Sequence, residues 1–176
     1  MCGRFYFLTE DGFKQEIRPT DEISVETMDG WQRMKWGIPH FDGKGVHINA
    51  RAETVREKPT FARHFEVRRC LVPCDGFFEW RRQEGKRTKD KYAIFREDGE
   101  RSMMAGIYTE DGRVAVITHP PNAVVAPLHD RMPVILASRE VQELWLKADA
   151  NMAEMILRTH PDVSQRAEPE TLTFDI

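Results

Sequence analysis

Cys2 offers the most unusual chemistry of any residue in this 176-residue chain. A small residue at position 2 permits removal of Met1, which would leave Cys2 with a free α-amine beside its thiol. Such an amine condenses with an aldehyde to an imine, and the thiol can then close a five-membered thiazolidine ring. Because ring closure is intramolecular, it holds a product that a lone imine would lose to hydrolysis. An α-amine pKa of about 7.7–8.0 leaves part of the amine neutral near pH 7.

Condensation with an aldehyde also needs groups that move protons, and two residues far along the chain can do this. Glu79 follows two phenylalanines in the segment 76–81, where partial burial would raise the pKa of its carboxyl. His129, in the segment 128–133, has a side chain that titrates near neutral pH. Each has a structural alternative, because a strand glutamate is commonly an exposed partner of a neighbouring arginine, and a lone histidine commonly satisfies loop backbone.

The composition is that of a soluble globular protein with one domain over residues 1–176. Hydrophobic residues make up 40% and charged residues 31%, and no apolar run has the length of a transmembrane helix or a signal-peptide core. Three cysteines without a secretion signal favour free thiols in a reducing compartment. We therefore expect a cytoplasmic monomer that binds no membrane.

Charge is distributed unevenly along the chain, although the net charge is only −3. Residues 51–91 hold 12 lysines and arginines against 7 acidic residues, whereas residues 138–176 hold 4 basic and 8 acidic residues. A basic face for a polyanion such as nucleic acid would explain this asymmetry, and so would an ordinary solvated helix face.

The hydrophobic pattern predicts many short strands and a few short helices. Strands are expected at 3–8, 22–28, 32–38, 69–73, 76–81, 91–96, 101–108, 113–118 and 131–136. Helices are expected at Glu10–Ile17 behind a Thr9 cap, within 50–66 with a restart at Pro59, and over 138–146 and 151–158. Runs of strands with helices at their ends predict an α+β fold with a largely antiparallel, barrel-like sheet.

Three short connections predict strands that are neighbours in the sheet. Asp98-Gly99 and Asp111-Gly112 lie between predicted strands, and Asp-Gly pairs in that position favour hairpins. The strands at 69–73 and 76–81 are separated by so few residues that we expect them to be adjacent and joined by a tight turn.

Cys70, Cys74 and His64 raise the question of a zinc site. Structural zinc usually has about four ligands, and the Cys-x3-Cys spacing here has no second pair to complete such a set. Buried free thiols are the commoner state of such cysteines. We therefore expect no metal at these residues.

Five segments combine residue types that seldom coincide for packing reasons alone. They are Met1-Cys2-Gly3-Arg4-Phe5, Trp36-Gly37-Ile38-Pro39, Asn49-Ala50-Arg51-Ala52-Glu53, the stretch from Arg69 to Trp80, and the stretch from Leu128 to Pro133. Together and in this order, they closely resemble the SRAP family, the SOS-response-associated peptidases or abasic-site-processing proteins. The resemblance covers residues 2 to about 146.

The resemblance implies a compact α+β domain with a positively charged channel and no cofactor. It implies that abasic sites in single-stranded DNA are trapped as a covalent thiazolidine on Cys2. The implied catalytic residues are Cys2, Asn49, Glu79 and His129, with Asn49 holding the cysteine and the sugar. The implied DNA-binding residues are Arg4, Trp36, Arg51, Trp80, Thr118 and Arg131, in which arginines hold phosphates and tryptophans lie near bases.

Two other functions stay open on the same residues. Cys2, His129 and Asn49 have the makeup of a Cys-His-Asn hydrolase, and autocatalytic removal of Met1 would be a limited form of such a peptidase. The basic segment 51–91 would also suit a non-covalent reader of single-stranded DNA.

Some of these positions also have structural interpretations. Asn49 could cap a helix, Arg51 could pair with Glu53 or Glu57, and Trp36 and Trp80 could belong to the core.

Overall fold

The computed structural model describes residues 2–82, 85 and 87–170 of the chain. In that part the helices are α1 (Pro59–Val67), α2 (Arg139–Lys147) and α3 (Ala150–Thr159). The strands are β1 (Phe5–Leu8), β2 (Lys14–Ile17), β3 (Glu22–Thr27), β4 (Gly30–Trp36), β5 (Ile38–Pro39), β6 (Val46–His47), β7 (Asn49–Arg51), β8 (Arg69–Cys74), β9 (Gly76–Arg82), β10 (Lys89–Arg96), β11 (Ser102–Tyr108), β12 (Arg113–His119), β13 (Met132–Pro133) and β14 (Gln165–Pro169).

Five strands close into a barrel. Strand β11 pairs with β8, β8 with β3, β3 with β4, β4 with β12, and β12 again with β11. Every pair in this ring is antiparallel except β4 with β12. Strands β7 and β13 extend the sheet along β12, parallel and antiparallel respectively. Closure leaves the ring without an open edge.

A second, antiparallel sheet in the order β14-β10-β9-β1-β2 packs against the barrel. Strand β1, which begins a few residues after the N-terminus, lies between β2 and β9. This central position, flanked by a strand on each side, holds the beginning of the chain in the core.

Successive side chains of the barrel strands point to opposite faces of the sheet, so the core has two parts. Cys70 and Cys74 of β8 face one part, which also contains Phe5 of β1 and Phe77 of β9. Leu71, which lies between the two cysteines on the other face of β8, packs in the second part, with side chains of the three helices. The first part of the core therefore lies where the N-terminal strand meets the barrel.

The predicted fold class is confirmed as an α+β fold built on a largely antiparallel, barrel-like sheet with short flanking helices. Helix α1 begins at Pro59, the predicted restart. Helix α2 begins after Ser138, whose side chain accepts a hydrogen bond from the Val141 N–H. Over residues 2–82 and 87–170, no helix is both long enough and apolar enough to cross a bilayer.

The helix predicted over Glu10–Ile17 is wrong. The Phe13 N–H donates to the Thr9 hydroxyl at 3.1 Å, and Gly12 adopts a φ of +81°. Residues 9–13 therefore form a hairpin turn, and Lys14–Ile17 pairs with β1 as strand β2. The polar residues that favoured a helix start belong to this turn.

Two of the three predicted neighbouring pairs are also wrong, because the chain crosses between sheets at those points. Strands β8 and β9 meet around Asp75, but β8 belongs to the barrel and β9 to the second sheet. Strands β10 and β11 flank Asp98-Gly99 and likewise lie in different sheets. The pair at Asp111-Gly112 does join a hairpin, between β11 and β12.

Other strands also differ from the hydrophobic pattern. Strands β6 and β7 are not predicted, and Ala50 and Arg51 of β7 lie in the segment where a helix is expected. Of the strand predicted at 131–136, the structure retains Met132–Pro133. Strand β14 is not predicted, because most of its residues are polar or exposed and its place is set by pairing with β10.

Candidate functional site

Cys2 lies inside the molecule, and its side chain has no solvent exposure. It belongs to the same core cluster as Phe5 and Trp36, although it is the second residue of the chain. The sulfur atom is thus held in an apolar environment that water does not reach in this conformation.

The pairing of β1 with β9 explains which residues face the cysteine. Phe5 lies opposite Phe77, and one residue further toward the N-terminus the β9 backbone still donates a hydrogen bond to the Arg4 carbonyl, at 2.9 Å. One more step of this register sets Gly3 opposite Glu79. Because alternate strand residues share a face, Glu79 points to the same side as Phe77, toward the core that contains the cysteine.

The carboxyl of Glu79 is buried, with 2% of the residue exposed. Burial raises its pKa to about 7, because the charged form loses its hydration. The predicted burial is therefore confirmed. The alternative of an exposed partner for a neighbouring arginine is wrong, and Arg81 pairs instead with Asp90.

The Glu79 carboxyl influences the Cys2 thiol. Burial raises the pKa of the Cys2 thiol well above its usual range, and the nearby charges of Glu79 and Cys74 raise it further. The thiol is therefore protonated at neutral pH. We refer to Cys2, Glu79 and the adjacent Trp36 as the cysteine pocket.

His129 lies in a loop, with 30% of its side chain exposed. Its Nδ1 is 3.0 Å from the Arg131 N–H and 2.9 Å from a carboxylate oxygen of Asp130. Only an unprotonated Nδ1 can accept from Arg131, and we assign that state because Asp130 is largely hydrated, whereas burial lowers the pKa of the imidazole. The ring then carries its proton on Nε2, which makes Nε2 a donor.

Asn49 lies in strand β7, so the helix N-cap interpretation of this residue is wrong. Its amide nitrogen donates to the Val116 carbonyl at 3.5 Å. Its side-chain oxygen is buried and accepts no hydrogen bond from any residue that the structure describes. The preceding residue, Ile48, packs against the core that contains Cys2. Asn49 thus presents an unused acceptor near that core.

The two predicted DNA-binding tryptophans have different environments. Trp36 is fully buried, its indole N–H donates to the Ile48 carbonyl at 3.0 Å, and its ring centroid lies 4.9 Å from that of Phe5. The core interpretation of Trp36 therefore holds, and its contact with DNA stays a prediction. Trp80 is half-buried on the opposite face of β9 and packs beside Phe78.

Arg4 lies beside Trp80 on this outer face, with its guanidinium 5.6 Å from the ring centroid. Glu16 binds both Arg4, at 3.2 Å, and Lys91. The Lys91 ammonium also lies over the Phe78 ring, 3.8 Å from its centroid. Sequence reasoning missed Lys91, because only the pairing of β10 with β9 places it opposite Trp80.

Arg51, Thr118 and Arg131 lie together beside the end of β12, and we call them the arginine edge. Thr118 pairs with Arg51 across β7 and β12, and Arg131 donates to the Thr118 carbonyl at 2.6 Å. Arg131 also binds Glu53 through both guanidinium branches, at 2.6 and 2.8 Å. Arg51 is exposed and forms no salt bridge within the described part of the chain, so its predicted alternative of pairing with Glu53 or Glu57 is wrong.

Most of the predicted site residues thus fall into three groups. Cys2 and Glu79 share the cysteine pocket, and Arg51, Thr118 and Arg131 share the arginine edge. The hydrogen bond from the Arg131 N–H to His129 links the arginine edge to the loop histidine. Arg4 and Trp80 form the third group, on the outer face of the second sheet.

The cysteines and histidine considered for zinc do not meet. Cys70 and Cys74 are fully buried in the core, and burial raises the pKa of each thiol well above its usual range. A different group of possible ligands, which the sequence did not indicate, lies beside the end of β12. His119, His160 and Asp162 have ligand atoms that all lie within 4.8 Å of one another.

Known proteins resemble the chain along most of its length. A family model described as SOS response associated peptidase (SRAP) matches residues 10–171. The abasic site processing protein YoaM of Bacillus subtilis is 42% identical, and the alignment covers 83% of this chain and 79% of YoaM. The abasic site processing protein YoqW of Bacillus phage SPbeta is 34% identical, covering 83% of this chain and 80% of YoqW.

Solved structures share the fold. A crystal structure of a protein from Bacteroides thetaiotaomicron matches with a TM-score of 0.78 at 28% identity, covering 90% of this chain and 78% of that chain. A phage-related protein from Bordetella bronchiseptica matches with a TM-score of 0.78 at 24% identity, covering 96% of this chain and 94% of that chain.

Proposed function

The chain belongs to the SOS-response-associated peptidase (SRAP) family, and we propose that it processes abasic sites in single-stranded DNA by trapping them covalently on Cys2. Relatives named abasic site processing proteins support the damaged site as the target. The placement of a buried carboxyl beside the N-terminal cysteine supports the covalent step, and it is the observation that carries the proposal.

The reaction proceeds in three steps on one carbon atom. The α-amine of Cys2, freed by removal of Met1, adds to the C1′ aldehyde of the ring-opened sugar. The carbinolamine loses its hydroxyl as water and becomes an imine. The thiol sulfur then bonds to the same carbon while the thiol proton passes to the imine nitrogen. The product is a thiazolidine whose mass is protein plus DNA minus water.

Glu79 supplies the proton transfers in this scheme. With a pKa of about 7, its carboxyl is populated in both protonation states at neutral pH. The protonated form can donate to the departing hydroxyl, and the ionised form can accept the proton of the Cys2 thiol during ring closure. Such an acceptor is needed because burial keeps this thiol protonated.

The remaining predicted residues hold the sugar and the strand. His129, with its proton on Nε2, can donate to the sugar oxygen O4′ as the ring opens. Asn49 has a free acceptor for a hydroxyl or for the Cys2 amine. Arg51 and Arg131 at the arginine edge supply forked, always-charged donors for phosphates. Converting the imine to a thiazolidine also stops β-elimination, so the strand stays intact.

The peptidase alternative needs a different state of the same sulfur. A cysteine hydrolase attacks as a thiolate, which a neighbouring imidazolium normally stabilises. Here burial raises the pKa of Cys2 and lowers that of His129, so the thiol and the neutral ring predominate. These shifts favour the amine-led condensation over thiolate attack.

Intact-mass spectrometry tests the proposal. Purified protein is measured alone and after incubation with a single-stranded oligonucleotide that carries one abasic site. We expect a protein without Met1, then a heat-stable adduct of protein plus oligonucleotide minus water. Cys2→Ala should form no such adduct. The matched control is Cys70→Ala, which removes an equally buried thiol from the same core and should still form it.

An alanine inserted between Met1 and Cys2 separates the role of the α-amine from that of the thiol. The insertion keeps the Cys2 thiol but moves the free amine to another residue. We expect this variant to lose the heat-stable adduct. A Met1-free wild-type protein that forms no adduct, or an insertion variant that still forms it, would contradict the thiazolidine mechanism.

A further inference from the structure

Three possible metal ligands from distant parts of the chain meet beside the end of β12. His119 is the last residue of β12, His160 is the C-cap residue of α3, and Asp162 follows two residues later. One ligand atom from each lies within 4.8 Å of the others, and the two imidazole centroids are 5.1 Å apart. Modest side-chain rotation brings ligand atoms at this spacing onto one ion, whose bonds to imidazole nitrogen are about 2.0–2.1 Å long.

The hydrogen bonding of the two histidines leaves the nitrogens that a metal would need. The Nδ1 of His160 lies 3.0 Å from the Ile156 carbonyl, to which it can only donate, so the lone pair is on Nε2. Such a backbone partner on the second nitrogen is the usual arrangement of a metal-bound histidine. The Nε2 of His119 is buried and forms no hydrogen bond with any residue in the described ranges.

We propose that His119, His160 and Asp162 bind one divalent transition-metal ion, for which Zn²⁺ is the probe. Two imidazoles and one carboxylate are a donor set that suits Zn²⁺ and its first-row neighbours rather than Ca²⁺ or Mg²⁺. A buried water could also bind the Nε2 of His119, but it would explain only that one nitrogen. A metal ion also accounts for the approach of the His160 imidazole and the Asp162 carboxylate to His119.

The site adjoins the arginine edge without being part of it. His119 directly follows Thr118, which binds Arg131, and it lines a cavity of about 400 Å³ with Glu53 and Arg158. Three protein ligands leave at least one coordination position of a zinc ion for water or an anion. A bound ion would thus add positive charge beside the residues proposed to hold phosphates.

Calorimetry with chelator-treated protein and Zn²⁺ alone tests the site. The titration is done in a Cys2→Ala background, because a free α-amine and thiol on one residue would themselves chelate zinc. His160→Gln and Asp162→Asn each remove one ligand and keep the size of the side chain. The matched control is His40→Gln with His47→Gln, the histidine pair of the β5–β6 hairpin, whose ring centroids are 4.1 Å apart.

We expect one Zn²⁺ per chain, bound at least 10–100-fold more weakly after either ligand substitution, since even changes around a metal's ligands cost about that much. The hairpin double substitution should leave the affinity unchanged. Circular dichroism shows whether each variant is folded. If folded Cys2→Ala protein binds less than one Zn²⁺, or if only the hairpin substitutions weaken binding, the proposal is wrong. The result is independent of DNA trapping, which this background lacks.

Discussion

The ionisable groups of the cysteine pocket and of the arginine edge have opposite environments. In the pocket, Cys2 and Glu79 are buried, and loss of hydration raises the pKa of both. At the edge, Arg51 is exposed and Arg131 is held in a bidentate pair with Glu53. The proposed function would explain this difference, because a proton carrier needs an altered pKa, whereas a phosphate-binding group needs a permanent and accessible charge.

This comparison predicts different consequences for substitutions in the two regions. Changes in the pocket should alter the rate of trapping and the pH dependence of stability. Changes at the edge should alter the affinity for DNA and its dependence on salt, and leave the chemistry of the trapped complex intact.

The largest effect is expected from Glu79→Gln. Glutamine keeps the size of the side chain but cannot exchange a proton, so trapping should slow by about 10²–10⁴-fold, the usual contribution of a general acid or base. Single-turnover crosslinking at saturating abasic oligonucleotide measures this rate. Glu22→Gln is the matched control, because its side chain is 69% exposed and its substitution should leave the rate unchanged. A Glu79→Gln protein that traps at the wild-type rate would remove Glu79 from the mechanism.

The same buried carboxyl should make stability depend on pH. The folded protein keeps the Glu79 proton up to a pKa of about 7, whereas the unfolded chain releases it near pH 4.3. Between these values the unfolded state binds fewer protons, so the free energy of unfolding falls as pH rises, by up to about 4 kcal/mol in all. Urea unfolding of wild type and Glu79→Gln from pH 5 to pH 8 measures this loss.

In Glu79→Gln that loss should be absent, so the variant gains stability relative to wild type up to about pH 7 and keeps a constant advantage above it. Parallel stability curves for the two proteins would mean that the carboxyl is not desolvated in the folded state.

The sequence predicts which residues occupy the pocket better than it predicts how they are arranged. Cys2 and Glu79 could be named from residue type and motif, and burial of Glu79 follows from its position after two phenylalanines. The burial of Trp36 could not be predicted, because a tryptophan at a strand end suits either a core or a base-stacking surface until the tertiary packing is known. Glu53 as the partner of Arg131, 78 residues away, is likewise visible only after folding.

The same limit explains the errors in the fold. Hydrophobic alternation locates most barrel strands, because they have one face in each part of the core. It does not say which strands pair. Asp98-Gly99 and Asp111-Gly112 have the same local turn chemistry, yet the first connects two sheets and the second joins a hairpin.

Trp36→Phe tests whether this residue belongs to the pocket rather than to a DNA surface. The substitution leaves the Ile48 carbonyl without its donor and opens space beside Phe5, so the free energy of unfolding should fall by about 1–3 kcal/mol. Urea unfolding measures the stability. Affinity for undamaged single-stranded DNA, measured by fluorescence anisotropy, should stay unchanged. Trp31→Phe, on a residue that is 59% exposed, is the control and should alter stability little. If a folded Trp36→Phe protein binds DNA more weakly than wild type, Trp36 contacts DNA as the resemblance implies.

The smallest effect separates the two arginines of the edge. Arg51 forms no salt bridge with any described residue, so Arg51→Ala should lower the slope of log affinity against log salt by about 0.7, the value for one phosphate of a single strand. Arg131→Ala should lower this slope less, because Glu53 already neutralises the guanidinium before DNA binds. Removing that competitor by Glu53→Gln should therefore tighten binding to undamaged single strands. If Glu53→Gln weakens binding instead, the carboxylate orients Arg131 for the phosphate rather than competing with it, and the arginine edge depends on preorganised pairing as much as on free charge.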